Sequence, residues 1–418
     1  MLKKIFFSVL AAIIVFILIF SLVKPKKPCV YINKLKTGHY QLIINNKPYI
    51  IKGVCYNPAP IGANHEYDWW SDSAKPWLVD GKLMQEMGIN TVRIYQAGQD
   101  PEKVKQAIRD LYNLYGIRTA LGHWLGFWEY PCPLYGNKQF EERIKKEILE
   151  MVRLYKDEPG VIFWILGNEN NYSCLGRVNP WSTDEIDKEI NPRTQQFMRA
   201  KIYYSYVNNI AKEIHMLDRN HPVALGNGEL VGLDTAGQFC PDIDLVACII
   251  YRGKTFGPLF KSLKATFNRP IVIAEFGADS YDAYLNKEDQ NIQAFFLESQ
   301  WRQIFDNLAN GKEGEGNCLG GFMFEWTDEW WKHNDAYAEG WLVHDTESNW
   351  SNGSYYSDIQ VPGNKNMNEE WFGIVSLSQD LENGLHKRIP KKSYYIIREF
   401  WKNPSISQFD KKGKVKSK

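Results

Sequence analysis

Eight short apolar runs, each closed by polar or aromatic residues, recur between residues 49 and 324. They are YIIKGV (49–54), NTVRIY (90–95), IRTALG (117–122), VIFWIL (161–166), PVAL (222–225), DLVACII (244–250), PIVIA (270–274) and GGFMF (320–324). Most are separated by stretches with helical spacing, at 81–87, 101–115, 140–155, 194–217 and 289–308, and a last helix is expected over 391–401. Near-continuous apolar strands are buried on both faces, which points to a parallel sheet covered by helices. Eight such units over roughly 350 residues predict an α/β fold, a single-domain (β/α)8 TIM barrel. A doubly wound open sheet is the rival arrangement, but no glycine-rich phosphate loop follows the first strand.

The flanks read differently. Lys3 and Lys4 precede a charge-free apolar run over 5–23, and three lysines follow it. That run is just long enough to cross a bilayer as a helix, and no small-residue cleavage site closes it. Residues 1–28 are therefore expected to be an uncleaved signal-anchor, with the barrel on the extracytoplasmic side. The barrel is expected over 29–402, with an elaborated polar loop at 344–370, and 403–418 reads as a disordered basic tail. A net charge of +1 gives no long-range attraction for nucleic acid. The seven cysteines contain no CxxC pair, and HEYDWW (65–70) matches no metal-ligand spacing, so neither metal nor cofactor is expected. Cys132 and Cys174 each follow a strand end, which leaves room for a disulfide if the domain is exported.

Catalytic groups of such a barrel sit at the C-terminal ends of its strands. The second strand ends in Arg93 and Tyr95, the third in His123-Trp124, and the fourth in Asn168-Glu169. The fifth ends in Asn227-Gly228-Glu229, the sixth in Tyr251-Arg252, the seventh in Glu275, and the eighth in Glu325-Trp326. Glu169 and Glu275 both follow apolar runs, and burying a carboxylate demands a partner or a function. Two carboxyls in different surroundings, one kept protonated and one ionised, are what glycoside hydrolysis requires. The 15 tryptophans suit a cleft that stacks on sugar rings.

WILGNEN and IVIAEFGAD, with NTVRIY, HPVALGNG and FMFEWTDEWW, resemble the motifs of clan A retaining glycoside hydrolases. The likeness is greatest to the family 2 catalytic barrel of the β-galactosidase, β-glucuronidase and β-mannosidase group. The usual β-sandwich domains are expected to be lacking here. The resemblance implies that Glu169 is the general acid/base and Glu275 the nucleophile. Arg93 is the natural counter-charge for Glu275, Tyr251 a hydrogen-bond donor to it, and Asn168 a partner for the sugar 2-hydroxyl. His123, Trp124 and Asn227 are candidate lining of the sugar subsite, and Trp326 is its candidate floor. Trp69, Trp70, Trp128, Trp330 and Trp331 are candidates for outer subsites, and Glu229 and Glu325 for hydroxyl contacts. Glu66, Asp68, Asp328 and Glu329 read as solvated or loop-anchoring. The expected activity is retaining hydrolysis of a β-linked oligo- or polysaccharide. The alternatives are a membrane-anchored β-glucan transglycosylase using the same glutamates, as in fungal β-1,3-glucanosyltransferases, and a carbohydrate-binding protein that has lost catalysis.

Overall fold

The run VIFWIL is the fourth barrel strand, Val161–Leu166, and every one of its residues is buried. Phe163 and Ile165 point into the barrel, while Trp164 and Leu166 point outward to the helices. This two-sided burial is why the run lacks a polar face. In the computed structural model, which describes residues 29–409 except 177, 310, 312–313, 333–336 and 348–366, the strands form one closed barrel. They are Ile51–Cys55, Thr91–Ile94, Arg118–His123, Val161–Leu166, Val223–Gly228, Leu245–Ile249, Ile271–Phe276 and Cys318–Met323. Each pairs in parallel with the next, and the eighth closes on the first. The fifth and seventh strands run further than the sequence suggests, so Asn227 and Glu275 lie within strands.

The helices follow their sequence signals. Pro101–Tyr115 opens with Asp100, whose side chain accepts from the Glu102 and Lys103 N–H groups, and ends at Gly116 in the left-handed region (φ 72°). The last helix is Lys392–Lys402. Just before it, Lys391 is fully buried and pairs with Asp328, which follows the eighth strand, at 2.6 Å.

Three sheets outside the barrel had no clear sequence signal. Val30–Lys34, Tyr40–Ile44 and Lys47–Tyr49 form an antiparallel sheet, with a tight turn at Asn45 and Asn46, both of positive φ. Its Val30, Leu42 and Ile44 belong to the interior cluster that also contains Ile51, Leu245 and Leu319. Those three stand at the N-terminal ends of barrel strands, so the sheet plugs the bottom of the barrel. The other two are antiparallel pairs, Tyr281–Asp282 with Lys287–Glu288 and Val375–Glu382 with Leu385–Pro390.

The tail keeps packing beyond residue 402, contrary to the disorder expected from Asn403. Phe409 is buried and meets the Phe295 ring edge-on at 5.3 Å, and the Gln408 N–H donates to Glu298. Residues 410–418 lie outside the described residues, as does most of the 344–370 loop. The expected anchor at 1–28 also lies outside them; among the described residues no helix is long and apolar enough to cross a membrane. All seven cysteines are free, so Cys132 and Cys174 are not bridged.

Candidate active site

Strand alternation decides which side chains reach the barrel mouth. On the second strand Val92 and Ile94 face the helices, which sends Arg93, and Tyr95 two residues on, inward. The seventh strand breaks this rule. Ile273 and Phe276 face outward and Ala274 inward, but the register shifts between Ile273 and Glu275 against the sixth strand. That irregularity turns Glu275 inward beside Ala274, a local re-aiming typical of bulges at active sites.

Glu275 is 6% exposed and held by three donors. Arg93 Nη1 donates to its Oε1 at 2.7 Å and the Tyr95 hydroxyl to the same oxygen at 2.8 Å. The Tyr251 hydroxyl donates to Oε2 at 2.8 Å. Burial pushes both tyrosines well above their ordinary pKa, so they remain hydroxyl donors. Arg93 also donates to Ala274 O at 3.1 Å and, through Nη2, to Asn168 Oδ1 at 2.5 Å. One guanidinium thus ties the second, fourth and seventh strands together.

Glu169 has no such cation. Its pKa is raised from 4.5 to about 8, first by burial, then by the charges of Glu275 and Glu369; Arg93 and Lys332 pull it down but do not prevail. The turn that presents it is tightly constrained. Gly167 has φ 78°, Asn170 Oδ1 accepts from the Asn168 N–H at 2.8 Å, and Asn170 Nδ2 donates to Trp124 O and to the Tyr135 hydroxyl. A Cβ at Gly226 on the fifth strand would stand 2.2 Å from Gly167 O, so only glycine lets the two strands approach here.

A second acidic group borders the pair. Lys332 Nζ lies 3.2 Å from Glu329 and 2.9 Å from Glu369, all three largely buried. Burial lifts Glu329 to about 7 against the pull of Lys332, and lifts Glu325 well above the usual carboxylate range. Glu325 Oε1 has no hydrogen-bond partner.

Other predicted residues go elsewhere. His123 shares the outward face of its strand with Leu121; its Nδ1 accepts from the Leu125 N–H at 3.1 Å and its Nε2 lies 3.9 Å from Glu147 on helix Lys138–Tyr155. Burial lowers its pKa to about 4. Asn227 is fully buried, accepting from the Tyr204 hydroxyl and donating to the carbonyls of Gly228, Glu229 and Val231. Trp326 is 1% exposed within the layer between barrel and helices, and offers no open face to a sugar. Trp69 and Trp70 are buried against each other, and Glu229 pairs with Arg252. Trp330 stacks on His344, which stacks on Trp371. Trp124 does reach the site, stacked on Tyr95 with ring centres 5.1 Å apart. Sequence reasoning missed Tyr95 as a partner of Glu275, although its spacing from Arg93 carried the signal. It also missed Glu369, far along the chain, for which no local signal existed.

The sequence profile of glycosyl hydrolases family 2, TIM barrel domain, matches residues 35–339. The chain belongs to this family. Among solved structures, this family 2 barrel is similar to Bacteroides uniformis β-glucuronidase 2, with 15% identity, a TM-score of 0.57, and coverage of 90% of this chain and 37% of that one. It is also similar to the β-D-glucuronidase of Dictyoglomus thermophilum, at 14% identity and TM-score 0.53, covering 90% and 54%. The Parabacteroides merdae β-glucuronidase follows at 14% identity and TM-score 0.53, covering 89% and 39%. The family 2 barrel thus spans 37% to 54% of the length of these three proteins, and the likeness is one of fold. No curated protein matches the sequence.

Proposed function

We propose that the barrel is a retaining β-glycosidase, with Glu275 as nucleophile and Glu169 as acid/base. The observation that carries this reading is the unequal treatment of the two carboxyls: Glu275 receives Arg93 and two tyrosine hydroxyls, while Glu169 keeps its proton up to about pH 8. Glu275 Oε1 takes two donors and Oε2 only one, so Oε2 keeps a lone pair for attack on the anomeric carbon. As that bond forms, the bond to the leaving oxygen breaks and Glu169 delivers its proton there. Glu169, now ionised, takes a proton from water, whose oxygen displaces Glu275 and releases the sugar with retained configuration. Asn168 Oδ1 is occupied by Arg93, which leaves its Nδ2 as the donor for the 2-hydroxyl.

The solved neighbours are named β-glucuronidases, but the surroundings here favour a sugar without a carboxylate. Glu325, Glu329 and Glu369 crowd beside the pair, and Lys332 is already shared between two of them. A uronate would add a negative charge where burial already works against ionisation of Glu325, Glu329 and Glu369, whereas neutral hydroxyls find hydrogen-bond partners. The apolar run at 5–23, by its length and lack of a cleavage site, is proposed to anchor the barrel to a membrane on the extracytoplasmic face. N-terminal sequencing of the native protein tests that, and a start near residue 25–30 excludes it.

The mechanism is tested by chemical rescue. Glu275→Ala should lose hydrolysis, and azide should restore turnover as an inverted glycosyl azide by occupying the vacated face. Glu169→Ala, given a substrate with a good leaving group, should stall after glycosylation and yield a retained azide. The opposite stereochemistry in both variants would reverse the roles, and unaffected hydrolysis in both would remove the site from this cleft.

A further inference from the structure

The loop after the third strand carries aromatic rings outward from the nucleophile in a continuous series. Tyr95, whose hydroxyl holds Glu275, stacks on Trp124 with ring planes 10° apart. Trp124 meets Trp128 edge-to-face at 6.2 Å, and Phe127 supports Trp128 in the same way at 4.9 Å. Trp128 is nevertheless 63% exposed, and Tyr130 is 97% exposed. A single exposed aromatic would need no explanation, but this one continues a series that begins at the reacting carboxylate.

The loop is built to hold its shape. Leu125 and Gly126 both take positive φ, and the Tyr135 hydroxyl donates to Leu125 O at 3.1 Å. Asn179 Nδ2 donates to Phe127 O at 2.7 Å, and Arg143 pairs with Glu129 at 2.5 Å. A rigid aromatic surface binds without first losing conformational freedom.

We infer that Trp128 is a sugar-stacking platform beside the reaction subsite, so that the substrate is a β-linked glycan chain and not a single β-linked sugar on a small aglycone. This rests on the glycosidase reading and extends it to substrate length.

Two measurements on the full-length protein test it. The first compares kcat/KM of wild type and Trp128→Ala on an aryl β-monoglycoside and on the matching oligosaccharides from disaccharide to hexasaccharide. The variant should lose about tenfold more on the longer oligosaccharides than on the aryl monoglycoside, mainly through KM, and Trp128→Tyr should regain most of it. Equal losses on both, or none, would overturn the platform. The second measurement needs no turnover. Tryptophan fluorescence of a Glu275→Gln variant, titrated with cello-, laminari-, manno- and xylo-oligosaccharides, should saturate at lower concentration as one series lengthens, and Trp128→Ala should abolish that gain. Saturation independent of length, or unchanged by Trp128→Ala, overturns the inference even where the glycosidase assignment stands. Failure of wild type to cleave any β-glycoside, with length-dependent binding intact, sinks the assignment and leaves the platform.

Discussion

At neutral pH Glu169 stays protonated because burial and the charges of Glu275 and Glu369 outweigh Arg93 and Lys332. An acid that must donate is active only while protonated, so kcat/KM should fall as pH rises through about 8. A Glu169→Gln variant, assayed with an activated leaving group, should lose that alkaline limb. The same shift has a consequence for stability. A carboxyl whose folded pKa is raised favours the fold below its ordinary value of 4.5 and loses that contribution as pH climbs through about 8. Glu169→Gln should therefore gain thermal stability relative to wild type at alkaline pH and not at acid pH. Arg93 is the opposite case. Arg93→Met leaves Glu275 buried with its charge uncompensated, at a cost of about 3–5 kcal/mol in urea unfolding. Adding Glu275→Gln should recover much of that loss. Arg93, Asn168 and Tyr251 were legible because their strand ends are polar exceptions in apolar runs. His123 and Asn227 misled because strand ends alone ignore alternation: Leu121 and Leu225 already mark their faces as outward.

The fourth and fifth strands meet closely where a Cβ on Gly226 would stand 2.2 Å from Gly167 O. Gly226→Ala sets its methyl against backbone, which cannot swing aside as a side chain could. The variant should lose about 1–3 kcal/mol of stability and a disproportionate share of kcat, because the turn that yields carries Asn168 and Glu169. Activity measured well below the variant's melting temperature separates the two effects. The barrel itself was readable from eight apolar runs. The N-terminal plug was not, since its strands are short, its alternation is imperfect and its contacts are with residues as distant as Leu319. The inward turn of Glu275 was equally hidden, because a register shift depends on the neighbouring strand and leaves no mark in its own sequence.

For the molecule as a whole, the crowd of buried acidic groups at the mouth predicts a charge preference, because a further negative charge there finds little compensation. With matched p-nitrophenyl β-glycosides, kcat/KM for the neutral hexosides should exceed that for the glucuronide by at least about tenfold. Glu329→Gln with Glu369→Gln should narrow the gap by removing two of the acidic groups beside Lys332. A wild-type preference for the glucuronide would sink the neutral-sugar reading. That mouth depends on a residue far down the chain. Asp328 is fully buried, and its cationic partner, Lys391, is the residue before the last helix. During synthesis, Glu169 and Glu275 leave the ribosome long before Lys391. A nascent chain stopped short of it has both proposed catalytic carboxylates and all eight strands, but lacks the cation that pairs with Asp328 beside the segment carrying Glu325, Glu329 and Lys332. The rim of the cleft is therefore expected to settle only after Lys391 has been made, well after the strands that carry Glu169 and Glu275.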